Sequence, residues 1–281
     1  MGRLVEGRWD PAARGTSDKA GYFKRQPRTF RHSISRSGGP FPAASGRYHL
    51  YVSYACPWAH RTLIFRRLKE LEDHISVSVV HPDMLDNGWT FGTDFPGSTG
   101  DHLFDEPYLY RIYQRADPDA HTSVTVPVLW DRESAAIVNN ESSEIIRMLN
   151  SAFDSITGNR LDLYPEELRE EIDVLNERVY HTVNNGVYRA GFARTQSAHD
   201  RAVDELFATL DLLEERLAGS DWLVGERMTE ADIRLLTTLL RFDIVYEMAT
   251  TRFDHIKRHY FYSHGRLNPG RLIPRGPDVY L

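Results

Sequence analysis

The sequence predicts a mixed α/β domain followed by an all-helical domain. The first domain is indicated by two strand patterns, at 48–52 and 75–80, that flank an amphipathic helix. The second is indicated by apolar residues at helical spacing, which replace the strand patterns after residue 165. With 281 residues and 41% hydrophobic content, the chain is long enough to bury two such cores.

Composition and charge favour a soluble protein of a reducing compartment. The net charge is −6, and a single cysteine excludes a disulfide framework. No apolar stretch reaches membrane-spanning length, and the N-terminus lacks a signal-peptide pattern. We therefore expect a cytoplasmic protein that binds neither nucleic acid nor membrane. One basic run is the local exception, and we interpret it as a solvated arm: Lys24, Arg25, Arg28, Arg31 and Arg36.

The first half can be divided into an arm and a domain. Residues 1–46 are rich in Gly, Arg, Ser and Pro without a sustained period, which predicts an extended N-terminal arm. The domain at 47–150 then contains, in order, a strand at 48–52, a helix from Pro57, a strand at 75–80, a long loop at 81–106, a helix at 108–115, strands at 125–131 and 135–138, and a helix at 144–149. This β-α-β, insertion, β-β-α order is thioredoxin-like.

The only cysteine, Cys56, lies between the first strand and the first helix. Pro57 suits the first helical position, so Cys56 falls at or near the N-cap, where backbone N–H groups and the helix dipole favour a thiolate. A small buried thiol without reactivity is the alternative interpretation. Ala59 stands where a Cys-x-x-Cys motif has its second cysteine. A redox cycle would therefore need the thiol of a small molecule such as glutathione.

The second half begins after a predicted linker at 151–165 and extends over 166–281, ending in a tail without periodicity. Apolar residues repeat at helical spacing over 168–179 and 206–217. Thr229 and Asp232 form a capping-box pattern at the start of a third helix. Because that helix is apolar nearly all round, we expect it to lie at the centre of the helical domain.

Seven motifs, taken together, resemble the xi-class glutathione transferases, the family that comprises the glutathionyl-hydroquinone reductases. They follow one another in the family's order and cover nearly the whole chain, which makes the resemblance specific although each motif alone is weak. They are CPWA (56–59), GWTF (88–91), TVPVLWD (125–131), VNNESSEII (138–146), NNGVYRAGF (184–192), TEAD (229–232) and FDHIKRHY (253–260).

The resemblance implies a glutathione transferase fold, with a thioredoxin-like N-terminal domain and an all-α C-terminal domain. It implies that Cys56 attacks the sulfur of a glutathionyl-hydroquinone, releases the hydroquinone and is regenerated by a second glutathione. It also implies that the protein is a homodimer. The implied catalytic residues are Cys56, Tyr188 and Tyr260, and the implied glutathione-binding residues are Trp89, Val126, Glu141 and Ser142.

Each implied residue also has a purely structural interpretation. The two tyrosines would hydrogen-bond the ring oxygens of the hydroquinone, or they are ordinary packing aromatics. Trp89 would pack on glutathione, or it anchors its loop. Val126 would pair its backbone with glutathione across a cis Val126–Pro127 bond. Glu141 and Ser142 would bind the γ-glutamyl end, and capping the following helix is compatible with that role.

The chain departs from the family pattern after Tyr246. Relatives continue there with a further stretch and one to two helices, whereas here 247–252 leads directly to the last motif. The C-terminal domain is thus expected to be shortened, exposing part of the apolar face of its central helix. Two alternative functions stay open: an omega-like thioltransferase or dehydroascorbate reductase, which would use a cysteine at the same place, and a binding module without turnover, which the shortening favours. His255 and His259, in a sequence without the zinc-hydrolase glutamate, do not predict a metal site.

Overall fold

The computed structural model describes residues 2–13 and 17–242, which divide into two units. The first unit contains residues 2–13 and 26–164, and the second contains residues 17–25 and 165–242. Within these residues, no helix is both long and apolar enough to cross a membrane.

The first unit is built on a four-stranded mixed sheet. Its spatial order is β4-β3-β5-β6, with β3 parallel to β4 and every other pair antiparallel. The parallel pair and the helix between its strands confirm the predicted β-α-β unit. The strands, including a separate N-terminal pair, are β1 (Arg3–Val5), β2 (Arg8–Asp10), β3 (Tyr48–Val52), β4 (Ile75–Val79), β5 (Val128–Asp131) and β6 (Ala136–Asn139).

The helices of this unit follow the prediction with shifted ends. They are α1 (Pro57–Leu68), α2 (Leu109–Ala116), α3 (Ser142–Ser151) and α4 (Asp154–Thr157). The strand predicted at 125–131 begins only at Val128, because the preceding proline has no N–H to donate to the sheet. Helix α3 begins at Ser142 instead of residue 144, because Glu141 serves as its N-cap. Helix α4 lies inside the segment that we predicted as a linker.

Residues 3–10, within the segment whose composition predicted an extended arm, are folded onto the first unit. Strands β1 and β2 form a hairpin, and the buried Leu4 exchanges backbone hydrogen bonds with Thr122, N to O distances 2.9 and 3.1 Å. Gly7 turns the hairpin with φ +71°, and a Cβ at this position would lie 1.8 Å from the Pro118 carbonyl oxygen. The hairpin is therefore an integral part of the first unit.

The central strand β3 is buried along its whole length, and it contains a histidine, His49. The two ring nitrogens lie 2.7 Å from Ser76 Oγ and 3.0 Å from Ser78 Oγ on the neighbouring strand. Burial disfavours the charged imidazolium and lowers the pKa of His49 to about 3. His49 is therefore neutral in the folded protein at physiological pH.

A buried lysine ties the end of α1 to the segment after α3. Lys69 is 1% exposed and its Nζ donates to the carbonyl oxygens of Leu161 at 2.6 Å and Asn159 at 3.0 Å. The same nitrogen lies 3.0 Å from Asp154 Oδ1. An ammonium group satisfied by three oxygen atoms accounts for the burial of this charge.

Replacing Lys69 by methionine should destabilise the protein, because the stem is retained while two carbonyl groups and Asp154 lose their donor. We expect a loss of about 2 kcal/mol in the free energy of unfolding, measured by urea denaturation at pH 7. Arg67→Met is the matched control, because Arg67 pairs with Glu72 at an exposed position. Equal stability of the two variants would contradict a structural role for the lysine.

The second unit is helical. Its elements are a 3₁₀ turn (Glu166–Leu168), α5 (Arg169–Val179), a π-helical turn (Tyr180–Asn184), α6 (Gly186–Gly191), α7 (Gln196–Leu217) and α8 (Glu230–Leu239). The three helices predicted from periodicity correspond to α5, α7 and α8. The predicted capping box is confirmed, since Thr229 Oγ1 accepts from Ala231 N and Asp232 Oδ2 accepts from Thr229 N at 2.8 Å.

Helix α8 buries less of its apolar surface than the sequence predicted. Leu235 is buried, but Leu236, Leu239 and Leu240 are exposed. Part of the buried side is polar: Glu230 accepts from Asn176 Nδ2 at 2.8 Å and from Arg234 Nη1 at 3.2 Å. The prediction that this helix lies buried at the centre of the domain is therefore wrong for these three leucines, whereas their exposure agrees with the expected exposure of part of its apolar face. Residues 243–281, with the departure after Tyr246 and the predicted tail, lie outside the described residues.

Candidate active site

Cys56 is the N-cap residue of α1, as predicted. Its backbone is extended, at φ −87° and ψ 118°, and its side chain makes no capping hydrogen bond. Pro57 occupies the first helical position, and the first turn of α1 carries no acidic residue. The thiol is half-buried. A sulfur at this end of a helix lies where the dipole stabilises negative charge.

The Cys56 sulfur faces the loop that leads into β5. Sγ lies 3.6 Å from the carbonyl oxygen of Val126, and the Val126–Pro127 peptide bond is cis, which confirms that prediction. Tyr113 holds the loop from behind, because its hydroxyl donates to the Thr125 carbonyl at 2.8 Å. The amide of Asn140 donates to the same hydroxyl at 3.2 Å. The tyrosine therefore connects the loop beside the sulfur to the start of α3.

The N-terminus of α3 carries the predicted acidic and hydroxyl side chains. Glu141 Oε1 accepts from the backbone N of Ser143 at 3.2 Å, so Glu141 caps the helix. Ser142 is buried, and its hydroxyl lies 3.5 Å from the guanidinium of Arg61. Arg61 is itself buried on α1, with its Cζ 4.6 Å from the ring centroid of Trp58. A buried cation therefore lies beside a helix N-terminus, where both favour an anionic group.

Trp89 is buried in a loop that the N-terminal hairpin holds in place. Its carbonyl oxygen accepts from the backbone N of Leu109 at 3.0 Å. The indole N of Trp9, on β2, donates to the Asp86 carbonyl at 2.9 Å. The Trp9 ring also covers Gly88, where an added Cβ would come within 2.8 Å of it. The start of the long loop is thus anchored by backbone and side-chain contacts.

Tyr188 lies in the second unit, on α6, and is buried. It follows the π-helical turn, whose last residue, Asn184, donates from Nδ2 to the Arg234 carbonyl at 3.0 Å and to Thr238 Oγ1 at 2.7 Å. Such turns insert one residue into a helix and are frequent at functional sites. The turn and α8 together fix the orientation from which α6 begins.

The structure places five of the seven predicted site residues in the first unit. These are Cys56, Trp89, Val126, Glu141 and Ser142. Tyr188 belongs to the second unit, and Tyr260 lies outside the described residues. Within residues 2–13 and 17–242 there is no group of three or more His, Cys, Asp or Glu side chains that could hold a metal ion.

Known proteins match both units. Residues 55–152 match the N-terminal domain of glutathione S-transferases, and residues 196–260 match their C-terminal domain. The glutathionyl-hydroquinone reductase YqjG of Escherichia coli is 47% identical, over 99% of this chain and 95% of that protein. The glutathionyl-hydroquinone reductase PcpF of Sphingobium chlorophenolicum is 46% identical, over 99% of this chain and 96% of that protein.

Solved structures agree with this assignment. The glutathione S-transferase Xi from Phanerochaete chrysosporium matches with a TM-score of 0.85 at 47% identity, covering 94% of this chain and 95% of that one. The chain belongs to the xi-class glutathione transferases, the family of the glutathionyl-hydroquinone reductases. The family resemblance of the seven motifs and the two-domain fold that it implied are thus confirmed. A glutathione-bound structure of YqjG matches this xi-class chain with a TM-score of 0.84 at 46% identity.

This xi-class chain is also shorter than a relative that it otherwise matches nearly end to end. The alignment with the Escherichia coli protein runs over 313 residues, more than the 281 residues of this chain. The relative therefore carries residues that have no counterpart here. This agrees with a shortened chain, although the predicted place of the shortening lies beyond the residues that the structure describes.

The sequence patterns predict no site role for three residues that support this xi-class site. Tyr113 and Arg61 lie in segments predicted as helices, and Trp9 lies in the predicted arm. Gly7, two residues before Trp9, is a turn signal at the tip of the hairpin that carries Trp9. No local pattern could reveal the roles of the other two. Tyr113 donates to a carbonyl 12 positions away, and Arg61 contacts a serine 81 positions away.

Proposed function

We propose that this chain reduces glutathionyl-hydroquinones to hydroquinones through a mixed disulfide between Cys56 and glutathione. The observation that carries the proposal is the position of Cys56 at the N-cap of α1, half-buried, with Val126 O 3.6 Å from the sulfur. Because the chain has no second cysteine, the disulfide partner must come from outside. The two bacterial relatives are themselves named glutathionyl-hydroquinone reductases.

The reaction consists of two substitutions at the glutathionyl sulfur, the first and the second exchange. In the first, the Cys56 thiolate attacks the glutathionyl sulfur, the bond from that sulfur to the ring breaks, and its electron pair passes to the ring. The ring carbon takes up a proton, which gives the hydroquinone and leaves Cys56 bonded to glutathione. In the second, a further glutathione thiolate attacks the glutathionyl sulfur. Oxidised glutathione leaves, and the Cys56 thiolate is restored.

Four residues of the first unit would hold glutathione. Val126 would pair its backbone with the cysteinyl part, adjacent to the sulfur of Cys56. Glu141 and Ser142 would bind the γ-glutamyl end at the N-terminus of α3, where Arg61 adds positive charge. Trp89 would pack on the tripeptide from its anchored loop. The glutathione-bound relative supports this part of the proposal.

The hydroquinone would be held by tyrosines. We assign Tyr188 to a hydrogen bond with a ring oxygen, since a phenol can stabilise charge on the leaving ring and assist its protonation. Tyr260 has the same role in the proposal. The partners are therefore glutathione and glutathionyl-hydroquinones, and the setting is a homodimer in the cytoplasm, where the single cysteine stays reduced.

An omega-like thioltransferase or dehydroascorbate reductase is the alternative function. The protein named glutathione S-transferase omega-like 2 of Schizosaccharomyces pombe is 46% identical over 93% of this chain. The name of that relative supports the omega-like alternative. A thioltransferase would use Cys56 equally well but would act on small disulfides without needing Tyr188. A binding module without turnover is the other alternative, and it would leave Cys56 unmodified.

The proposal is tested by mass spectrometry of the purified protein after exposure to glutathionyl-menadione. We expect a mass increase of one glutathione on the peptide that contains Cys56, with release of menadione, and reversal by free glutathione. An adduct that forms from a glutathione disulfide but not from glutathionyl-menadione would favour the thioltransferase. An intact, unmodified thiol with both reagents would favour the binding module.

A further inference from the structure

Residues 17–25 form a compact turn against the helices of the second unit. Asp18 Oδ1 accepts from the backbone N of Ala20 and of Tyr22, each at 3.0 Å. The Gly21 carbonyl accepts from Arg194 N at 2.9 Å, where α6 gives way to α7. This turn, which the sequence assigned to a solvated arm, ends at Arg25.

Arg25 lies over the ring of Tyr188. Its Cζ is 4.5 Å from the ring centroid, within the range of a cation–π contact. Its Nε donates to Asn185 Oδ1 at 2.7 Å. Asn185 and Tyr188 are three residues apart at the start of α6, so both point to the same side of the helix. The guanidinium is therefore fixed at one edge and stacked on the phenol.

The turn does not need this arginine for its attachment. Phe23 packs on Phe192 with ring centroids 5.3 Å apart, and Thr195 Oγ1 donates to the Ala20 carbonyl at 3.0 Å. These contacts, together with the backbone bond to Gly21, hold the part of the segment that precedes Arg25. A neutral side chain would serve equally well if the position only required packing.

We infer that Arg25 is a positioning residue for the reduction step, and that it acts through Tyr188. The inference rests on the proposed function. When the bond from sulfur to the ring breaks, negative charge passes to the ring and its oxygens. A phenol under a fixed cation is held in one orientation and is a stronger hydrogen-bond donor to that charge. Because the charge develops only in the transition state, the arginine should raise kcat more than it lowers KM.

The second exchange provides the internal comparison. Attack of glutathione on the Cys56 mixed disulfide moves charge between sulfur atoms and places none on an aromatic ring. Arg25 should therefore accelerate the first exchange and leave the second unchanged. Substitution of a residue that only stabilises the fold should change the rates of both exchanges alike.

The experiment is a double-mutant cycle of Arg25→Gln and Tyr188→Phe on the full-length protein, with both exchanges followed in single turnovers. We expect Arg25→Gln to slow release of menadione from glutathionyl-menadione about tenfold, with regeneration of Cys56 by glutathione unchanged. In the Tyr188→Phe background the same change should have little further effect, because its target is gone. Arg25→Lys, which keeps the charge but not the planar stack, should recover part of the rate.

Arg227→Gln is the matched control, because Arg227 forms an exposed ion pair with Glu167 in the same unit. Equal slowing of both exchanges by Arg25→Gln would overturn the inference, and so would a full additional loss in the Tyr188→Phe background. If the unsubstituted protein forms no adduct with glutathionyl-menadione, the proposed function fails and this inference fails with it. An active protein in which Arg25→Gln and Arg227→Gln behave alike overturns the inference alone.

Discussion

Replacing Cys56 by serine should lower kcat/KM for a glutathionyl-hydroquinone by about 10³-fold or more. A hydroxyl group is barely ionised at neutral pH, and its oxygen cannot form the mixed disulfide through which the ring is released. The loss therefore falls on the chemistry and not on binding. Turnover is measured by separating menadione and oxidised glutathione chromatographically, over a range of glutathionyl-menadione concentrations.

The same variant provides its own control for folding. Cys56 makes no capping hydrogen bond to α1, whereas serine is among the preferred N-cap residues. The thermal midpoint of Cys56→Ser should thus equal or exceed that of the unsubstituted protein. Glutathione should still bind, because Val126, Glu141 and Ser142 are unchanged. A stable variant that retains most of its turnover would rule out Cys56 as the nucleophile.

The parts of this site that could be predicted from the sequence depend on short-range rules. A proline after Cys56 identifies the N-cap, and a threonine three residues before Asp232 identifies a capping box. The cis bond at Pro127 followed from the family motif. Each of these features is determined by residues that are adjacent or nearly adjacent in the chain, so the pattern and the structure coincide.

The missed parts depend on contacts between distant residues. Arg25 and Asn185 are 160 positions apart, and Trp9 acts on a loop 77 positions away. Their own neighbourhoods are rich in Gly and Arg, which indicated only an arm. The burial of the leucines at the end of α8 was predicted wrongly for a related reason. Periodicity indicates which faces of a helix are apolar. Whether each face is buried depends on the elements elsewhere in the chain that pack against it.

His49 should have a large effect on how the free energy of unfolding depends on pH. Its pKa is about 3 in the folded protein, because burial disfavours the charged form, and near 6.5 when the chain is unfolded. Below pH 6.5 the unfolded chain thus binds a proton that the folded protein does not. The stabilisation is complete above that pH and is lost progressively as the pH falls toward 3. Between pH 7 and pH 4.5 the loss should be about 3 kcal/mol.

His49→Gln should remove most of this dependence, since a neutral amide can still reach Ser76 and Ser78. Urea denaturation at pH 7 and pH 4.5 gives the difference for each protein, and the variant should show a difference smaller by about 3 kcal/mol. His121→Gln, at an exposed histidine, should behave like the unsubstituted protein.

Other groups also take up protons between pH 7 and pH 4.5. Their effect on the free energy of unfolding is the same in both proteins, so it cancels when the two are compared. Burial raises the pKa of Asp131, but hydrogen bonds from Arg47 and Ser134 outweigh it and leave the pKa below its usual range. That carboxylate stabilises the fold above its unfolded pKa and loses the effect as the pH falls further. The loss is the same with histidine or glutamine at position 49. If His49→Gln keeps the full difference between pH 7 and pH 4.5, then His49 takes up its proton without unfolding the chain, and the sheet beneath Cys56 must admit water or rearrange to accommodate the charge.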